Sequence, residues 1–282
     1  MTLSKALLPP RDFAALARTV ERGQAAAMVE LSEEAQPVED GWMTFGGVGA
    51  FVNKACGLGL SGPVAPVAAR EILDFFQSRG VEPKVELCPY VHPSLLSALG
   101  SAGFHLVEFE NVLVRPVPES TEEARAFASV PPTGLSVTRV DASDAQAVEE
   151  YVRVSTAGFF PDGKRMSEGF WQSALKAPQL PHYDSFVARL EGQPVGAGGC
   201  ATRGGLLALF GTSVLPAFRG RGVQQALIAA RLERGRERGT TEAVIVSLPG
   251  ASTERNALRF GFRMAYTRAV LARRGEGLVP SP

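Results

Sequence analysis

An arginine- and glycine-rich run between two apolar segments is the part of the sequence best suited to chemistry. Residues 207–214 are mostly apolar, Pro216 follows, and Arg219-Gly220-Arg221-Gly222 precedes a segment with apolar residues at helical spacing. This order predicts a strand, a loop and a helix. The start of a helix offers free N–H groups and the positive end of the helix dipole, and the arginines add full charges. The pattern therefore predicts a phosphate or pyrophosphate site.

Two familiar phosphate motifs do not fit this loop. A dinucleotide fingerprint needs glycine where Gln225 stands, and a Walker loop needs Gly-Lys followed by Ser or Thr. Loops of the Gly-Arg-Gly type also turn chains without binding a ligand. Residues 57–62 spell Gly-x-Gly-x-x-Gly, but prolines interrupt the passage into a helix, so we interpret them as a weak match for nucleotide binding.

A different pattern does fit: Val214-x-Pro216, a short gap, then Arg-Gly-x-Gly and a helix. Residues 214–224 resemble the acyl-CoA signature of the GNAT superfamily of N-acyltransferases, and a later Gly261-Phe262 pair is similar to that family as well. The family usually has glycine or alanine where Gln224 stands. The resemblance covers residues 135–273 clearly and residues 11–115 faintly.

The resemblance implies acetyl-CoA as co-substrate and no metal. In this family the pantetheine arm pairs with the main chain of a splayed strand, here at Thr212, Ser213 and Val214, and the Val214 N–H faces the acetyl oxygen. The pyrophosphate would be held by the backbone of Arg219, Gly220, Arg221, Gly222, Val223 and Gln224. Asn256, on the last helix, is a further candidate for cofactor contact, or else a plain solvent-facing residue.

The general acid is harder to assign. The family often has a tyrosine where this sequence has Ala257. Ser252 is a candidate for offering a hydroxyl to the leaving sulfur, but it also reads as a helix N-cap, which we favour. Tyr266 reads as strand core.

The resemblance also places a helix-to-helix segment at the acceptor cleft. Its candidate substrate residues are Phe159, Phe160, Asp162 and Trp171. Packing between helices explains the rings equally well, and Asp162-Gly163 also reads as a turn. Further base candidates, which we do not rank, are Glu168, Tyr183 and Asp184.

The elements that position these residues follow a regular order in the second half. We predict a strand at 135–140, a helix capped by Asp141 or Ser143 and ending near 156, a helix at 167–175 and a hairpin at 186–199. The strand and loop at 207–222 and the long helix come next. A strand at 244–249, a helix and the Gly-Phe pair complete the half.

The first half repeats part of this order. We predict a helix at 11–21, a strand at 26–31, strands and tight turns at 41–62, a helix ending at Gly80, and a strand at 85–89 before Gly103-Phe104. At the position of the arginine loop, residues 59–66 contain no arginine and two prolines, which lack the N–H donors a phosphate needs. We therefore interpret this half as a degenerate copy.

The fold class is α+β: two GNAT-like units, each a mixed, mainly antiparallel sheet flanked by helices. The predicted division is a degenerate domain at 1–118, a proline-containing linker at 119–134 with a short helix at 121–127, and an acyl-CoA-binding catalytic domain at 135–282.

Composition limits the partners. The 282 residues have zero formal net charge and a pI near 6.9, which does not favour nucleic acid or an anionic membrane, and no run approaches a membrane span. Three scattered cysteines and three histidines suggest reduced core thiols and no metal cluster. Residues 231–238 read as a solvated, arginine-rich helix end. We expect a cytoplasmic protein of unassigned oligomeric state.

These observations favour one function and leave one alternative. The first is an N-acetyltransferase that moves an acetyl or acyl group from acetyl-CoA to a primary amine of a small molecule, amino acid or peptide, by direct attack in a ternary complex. The alternative is a non-catalytic acyl-CoA-binding module or sensor, because the tyrosine is missing and the first half is degenerate.

Overall fold

The computed structural model describes residues 12–126, 130–160 and 166–282. The amino-terminal half forms α1 (Phe13–Leu31), β1 (Glu34–Val38), β2 (Gly41–Phe45), β3 (Lys54–Cys56), α2 (Val67–Gln77), β4 (Lys84–Leu87), α3 (Pro93–Ser101) and β5 (His105–Pro116). The helix predicted before Gly80 is α2, in which Ile72, Phe75 and Phe76 are all buried.

A short α4 (Thr121–Ala126) leads into the carboxy-terminal half. That half forms β6 (Leu135–Arg139), α5 (Ala145–Thr156), α6 (Glu168–Lys176), β7 (Tyr183–Leu190), β8 (Gln193–Arg203), β9 (Leu206–Val214), α7 (Val223–Glu237), β10 (Glu242–Ser247), α8 (Ser252–Arg259) and β11 (Arg263–Ala272). The predicted order of elements in this half is confirmed.

The strands form one continuous sheet of eleven strands in the order β1-β2-β3-β4-β11-β5-β10-β9-β8-β7-β6. All neighbours are antiparallel except β3 with β4 and β9 with β10, which are parallel. The fold is therefore α+β with a mixed, mainly antiparallel sheet flanked by helices, as predicted. The two parallel pairs occupy corresponding places, since a helix, α2 or α7, connects the strands of each pair.

The last strand of each half is inserted into the other half. β5 pairs with β10 from Glu242↔Pro116 to Ser247↔Asn111, and β11 pairs with β4 as well as with β5. Each half therefore completes its sheet with a strand that follows the other half's Gly-Phe pair. The predicted domains at 1–118 and 135–282 did not include this exchange of strands.

Two local predictions are wrong. The predicted strand at 26–31 is part of α1, which continues to Leu31 and buries Ala17, Val20, Ala25 and Leu31 along its length. The cap of α5 is Asp144, whose side chain accepts from the Gln146 and Ala147 N–H groups, and not Asp141 or Ser143. The strand β1 was not foreseen.

The helices cover both faces of the sheet. On one face, Leu227 of α7, Ala257 of α8 and Phe260, which follows α8, pack on Leu113 and Ile245. On the other face α1 lies over the centre of the sheet, where Ala17 and Val20 contact a cluster that includes Val112 and Tyr266. No helix in the described part of the chain is both long and apolar enough to span a bilayer.

A group of charged side chains is buried beneath α1, and we call it the charge cluster: Glu21, Lys54, Glu86, Glu110 and Arg268. Arg268 is 2% exposed and contacts three of the carboxylates, at 3.5 Å from Glu21, 3.2 Å from Glu86 and 2.6 Å from Glu110. Lys54 Nζ donates to Glu86 Oε1 at 2.8 Å. Tyr266, predicted to be strand core, is buried here and donates its hydroxyl to Glu21 at 2.6 Å.

Candidate functional site

A cleft opens where two parallel strands separate. β9 and β10 are paired only from Glu242↔Leu206 to Ile245↔Leu209, although β9 continues to Val214 and β10 to Ser247. Beyond Leu209 the backbones diverge around a cavity of about 280 Å³, which Gly211, Thr212, Gln224 and Ser247 line together with other residues. An open strand edge of this kind can pair with an extended ligand.

A bulge directs β9 away from β10. Ala197 pairs with Ser213 and Gly199 pairs with Phe210, so the two residues Gly211 and Thr212 oppose the single residue Gly198. Gly211 has φ 55°, a conformation that glycine adopts without strain. The bulge therefore supplies the divergence that the cleft needs.

A buried arginine fills the bulge. Arg231 is 1% exposed, and its Nη1 donates to Gly199 O at 3.1 Å, to Phe210 O at 3.4 Å and to Thr212 Oγ1 at 2.8 Å. A Cβ at Gly198 would lie 3.1 Å from the guanidinium, so the glycine leaves room for it. Burial lowers the pKa of Arg231 to about 10. This value is still well above neutral pH, so the guanidinium stays charged there.

This placement corrects the prediction of a solvated helix end at 231–238 for its first part, since Arg231 is buried and Arg234 is partly buried, while Arg236 and Arg238 are exposed. Arg231 follows Val223 and Leu227 on the buried side of α7, and Arg234 and Arg238 bind the buried Asp184 at 2.9 and 3.0 Å. The exposed Arg236 pairs with Glu233 and has no contact with Asp184 in the described residues.

We expect Arg231→Met to destabilise the protein by about 3 kcal/mol, because the carbonyls of the bulge lose their donor while remaining buried. Urea denaturation followed by circular dichroism measures this. Arg236→Met, on the same helix, is the matched control and is expected to change the free energy of unfolding by less than about 0.5 kcal/mol. Equal effects of the two substitutions would contradict a special role for Arg231.

The arginine–glycine loop lies at the start of α7. Gly220 and Gly222 have φ of 74° and 76°, and Gly222 is the N-cap residue with no side chain capping the helix. The first N–H groups of this 15-residue helix are therefore open to a ligand. Arg219 and Arg221 are exposed, and neither pairs with a carboxylate in the described ranges; Arg219 Nε donates to Val214 O at 3.1 Å.

Two polar side chains next to the cleft are held by the protein, so a ligand would contact the backbone there, apart from the Val214 carbonyl that Arg219 binds. Thr212 Oγ1 accepts from Arg231, and Ser213 Oγ accepts from the Gly158 N–H at 2.9 Å. Val214 is half-buried against the core under α7. This arrangement is compatible with the main-chain role that the sequence predicted for Thr212, Ser213 and Val214.

Two helices meet beside the loop through polar side chains. Asn256 Nδ2 on α8 donates to Gln224 Oε1 on α7. Asn256 is the candidate for cofactor contact, and Gln224 is the residue where the family usually has glycine or alanine. Val223 is buried beneath them.

Ser252 is exposed as the first residue of α8, whose N-cap is Ala251, so the N-cap interpretation of Ser252 is wrong. Its neighbours Ala251 and Thr253 line the cavity instead. Thr253 is therefore better placed than Ser252 to reach the cavity, a difference of one helical position that the sequence did not show. Ala257 is fully buried.

The acceptor candidates are distributed around the end of α5. Phe159 is exposed and lines the cavity. Phe160 packs edge-on against Phe170 at 4.9 Å, and Trp171 is half-buried against the Tyr151 cluster, as the packing interpretation had it. Asp162 lies outside the described residues.

The unranked base candidates have other partners. Burial opposes ionisation of Asp184, but hydrogen bonds from Arg234 and Arg139 outweigh it and lower its pKa. Glu168 accepts from Gln172, and Tyr183 is buried against Phe210, where burial raises its pKa. Cys56, Cys88 and Cys200 are free and buried, as the sequence predicted.

In the amino-terminal half, two carboxylates from the turn between β1 and β2 bind the N–H groups of the corresponding loop. The Gly59 and Ser61 N–H groups donate to Asp40 at 2.5 and 2.7 Å, and the Ala65 N–H donates to Glu39 at 2.8 Å. The Gly-x-Gly-x-x-Gly at 57–62 therefore has acidic groups where a phosphate would bind.

Sequence reasoning missed Glu110 and Arg231, two charged side chains that line the cavity. Arg231 had a readable signal, since it continues the spacing of Val223 and Leu227. Glu110 had none, because it reaches the cleft only through the exchange of β5.

Residues 148–262 match the model of the acetyltransferase (GNAT) family. They therefore form a GNAT-family acetyltransferase domain, which supports transfer of an acyl group from acyl-CoA. No curated protein sequence matches the chain significantly.

Solved structures extend the fold over most of the chain. A GCN5-related N-acetyltransferase from Kribbella flavida is 19% identical, covers 92% of this chain and 96% of its own, and superposes with a TM-score of 0.68. A GNAT-family protein from Novosphingobium aromaticivorans is 17% identical over 88% and 95% of the two chains, with a TM-score of 0.52.

A tandem GNAT protein from the clavulanic acid biosynthesis pathway is 12% identical over 73% and 67% of the two chains, with a TM-score of 0.53. These likenesses establish the fold of GNAT proteins for the chain.

Proposed function

We propose that the protein is an N-acetyltransferase that transfers an acetyl or acyl group from acetyl-CoA to a primary amine of a small molecule, amino acid or peptide. The observation that carries the proposal is the separation of β9 from β10 beside the uncapped start of α7. The open strand edge suits an extended amide-containing arm, and the helix start suits a pyrophosphate.

The residues present fit acetyl-CoA. The backbone of residues 212–214 would bind the pantetheine arm, and the amides of residues 219–224 would bind the pyrophosphate. Arg219 and Arg221 add positive charge, and Asn256 would support the loop through Gln224. Bound acetyl-CoA supplies the thioester that the amine attacks.

The protein's own part in the reaction is to position the two substrates and to polarise the thioester. The Val214 N–H would donate to the thioester oxygen as negative charge develops there. Holding two substrates together supplies much of the rate, without a covalent enzyme intermediate. Thr253, which lines the cavity, would take the role first considered for Ser252, which is to protonate the leaving sulfur.

We also propose that the amino-terminal half, residues 1–118, is a degenerate copy that binds no acyl-CoA, joined by residues 119–134 to a catalytic domain at 135–282. The carboxylates of Asp40 and Glu39, which bind the loop at 59–66 from the turn between β1 and β2, support this proposal, because they occupy its N–H groups and would repel a phosphate.

Thiol release from acetyl-CoA, measured across a panel of primary amines, tests the function. We expect turnover by the wild type and at least a hundredfold loss in the double variant Arg219→Glu/Gly222→Glu, because two carboxylates would then face the pyrophosphate. Isothermal titration with CoA measures binding separately.

The outcomes separate the candidates. Binding of CoA without thiol release for any amine would leave the acyl-CoA-binding module or sensor, an alternative that the buried Ala257 favours. Absence of CoA binding would refute both. Asp40→Asn, which alters the carboxylate bound to the amino-terminal loop, is the matched control and is expected to leave CoA binding unchanged.

A further inference from the structure

A carboxylate from the amino-terminal half lies on the wall of the cleft. β5 pairs with β10 as far as Asn111, and Glu110 is the next residue, beyond the end of β10. Glu110 lines the cavity together with Phe159 and Ser247. The exchanged strand therefore brings an acidic group to the place where β9 and β10 separate.

One oxygen of this carboxylate is held and the other is open. Arg268 Nε donates to Glu110 Oε2 at 2.6 Å. Within the described residues, Glu110 Oε1 has no hydrogen-bond partner, and the side chain is 21% exposed. Glu110 can therefore accept a hydrogen bond from a ligand without losing the contact that fixes its position.

Glu110 is the exposed end of the charge cluster. The groups that face it are Arg268 on β11, Glu21 on α1, Glu86 on β4 and Lys54 on β3, and Arg231 lines the same cavity from α7. Glu21 and Glu86 are each 1% exposed, so Glu110 is the member of the cluster that a substrate can reach. An acidic group next to an apolar ring, Phe159, suits an amine that carries a positive charge.

We propose that Glu110 is the general base of acyl transfer and that the acceptor is a cationic amine carrying an apolar group. This inference rests on the function proposed above. One proton of the ammonium moves to Glu110 Oε1, and the neutral nitrogen then attacks the thioester carbon. The C–N bond forms, the C–S bond breaks, and the leaving sulfur takes a proton from the Thr253 hydroxyl, which in turn receives the second nitrogen proton, while Glu110 returns its proton to water.

The competing explanation is that Glu110 only pairs with Arg268. Glu110→Gln distinguishes the two roles, since an amide oxygen still accepts from Arg268 Nε but cannot take a proton. Glu108→Gln is the matched control, because Glu108 lies two positions earlier on β5 and has no ion pair in the described part of the chain. Thermal unfolding shows whether each variant folds.

The experiment measures thiol release from acetyl-CoA with benzylamine, tyramine and putrescine, which are cationic at about pH 7, and with aniline, which is neutral. With the fastest cationic amine, we expect Glu110→Gln to lower kcat about a hundredfold at about pH 7. The loss should narrow as the pH rises towards the range where the amine is neutral, and with aniline it should be less than about tenfold. Glu108→Gln should stay within about threefold of the wild type.

The affinity for CoA distinguishes a failure of this inference from a failure of the proposed function. We expect the Kd for CoA to change by less than about threefold in Glu110→Gln. Activity of Glu110→Gln within threefold of the wild type would overturn the inference while the proposed function stands. Equal losses with cationic and neutral amines would assign Glu110 a structural role and would overturn it too. A wild type that releases no thiol with any amine would refute the proposed function itself.

Discussion

Gly222→Val is expected to weaken CoA binding by about a thousandfold. Gly222 has φ 76° and ψ 0° at the N-cap of α7. A β-branched residue avoids this left-handed conformation, so the free variant leaves it, and CoA binding must restore it at a cost of about 1–2 kcal/mol with a side chain among the N–H groups that the pyrophosphate needs. Loss of two charge-assisted hydrogen bonds adds about 3 kcal/mol or more. Isothermal titration with CoA measures the change in affinity.

The other end of the same helix provides the control. Gly239 follows α7 and has φ 71°, and a Cβ at this position would meet no other atom within 4 Å, so valine is strained there for the same conformational reason and not by crowding. We expect Gly239→Val to cost a similar amount of stability but to leave the Kd for CoA within about threefold. Equal losses of affinity at both ends would mean that helix stability, and not the loop, controls binding.

Glu86→Gln is expected to destabilise the protein by about 3–5 kcal/mol at about pH 7, because Arg268 and Lys54 lose the buried carboxylate between them. Burial opposes ionisation of Glu86, but Arg268 and Lys54 outweigh it and lower its pKa to about 2. Its contribution to stability is therefore present above the unfolded pKa of 4.5 and is lost as the pH falls towards 2. Urea denaturation at several pH values measures both effects.

Glu21→Gln is the matched control in the same cluster. Burial raises the pKa of Glu21 despite Arg268 and the Tyr266 hydroxyl, so its stabilising contribution is present below pH 4.5 and is lost as the pH rises through the raised value. Glu21→Gln should therefore change the free energy of unfolding little at pH 4. As the pH rises, the variant should become more stable relative to the wild type. A loss at pH 7 as large as that of Glu86→Gln would contradict the assignment.

Much of the carboxy-terminal half could be predicted from sequence because its signals are local. Alternation, helical spacing and the glycines at 220, 222 and 261 specify elements within a few residues of themselves. The error at 26–31 has the opposite origin, since a short apolar run fits a strand or a buried helix equally well. Packing of α1 on the sheet decided between them.

The candidate site divides in the same way. The loop at 219–224 was readable because a ligand contacts consecutive backbone groups there. Thr253 was missed in favour of Ser252 because side-chain direction depends on where α8 begins. Glu110 could not be found at all, because nothing local in residues 105–116 says that this strand pairs with β10.

The exchange of β5 and β11 also has a consequence for how the chain is made. β5 ends at Pro116, but its neighbours begin only at Glu242 and Arg263. During synthesis both edges of β5 therefore lack their native partners until β10 and β11 have been made. An unpaired strand edge is a template for aggregation, and Glu108 and Glu110 interrupt the apolar run of this strand with charge that disfavours pairing between nascent chains.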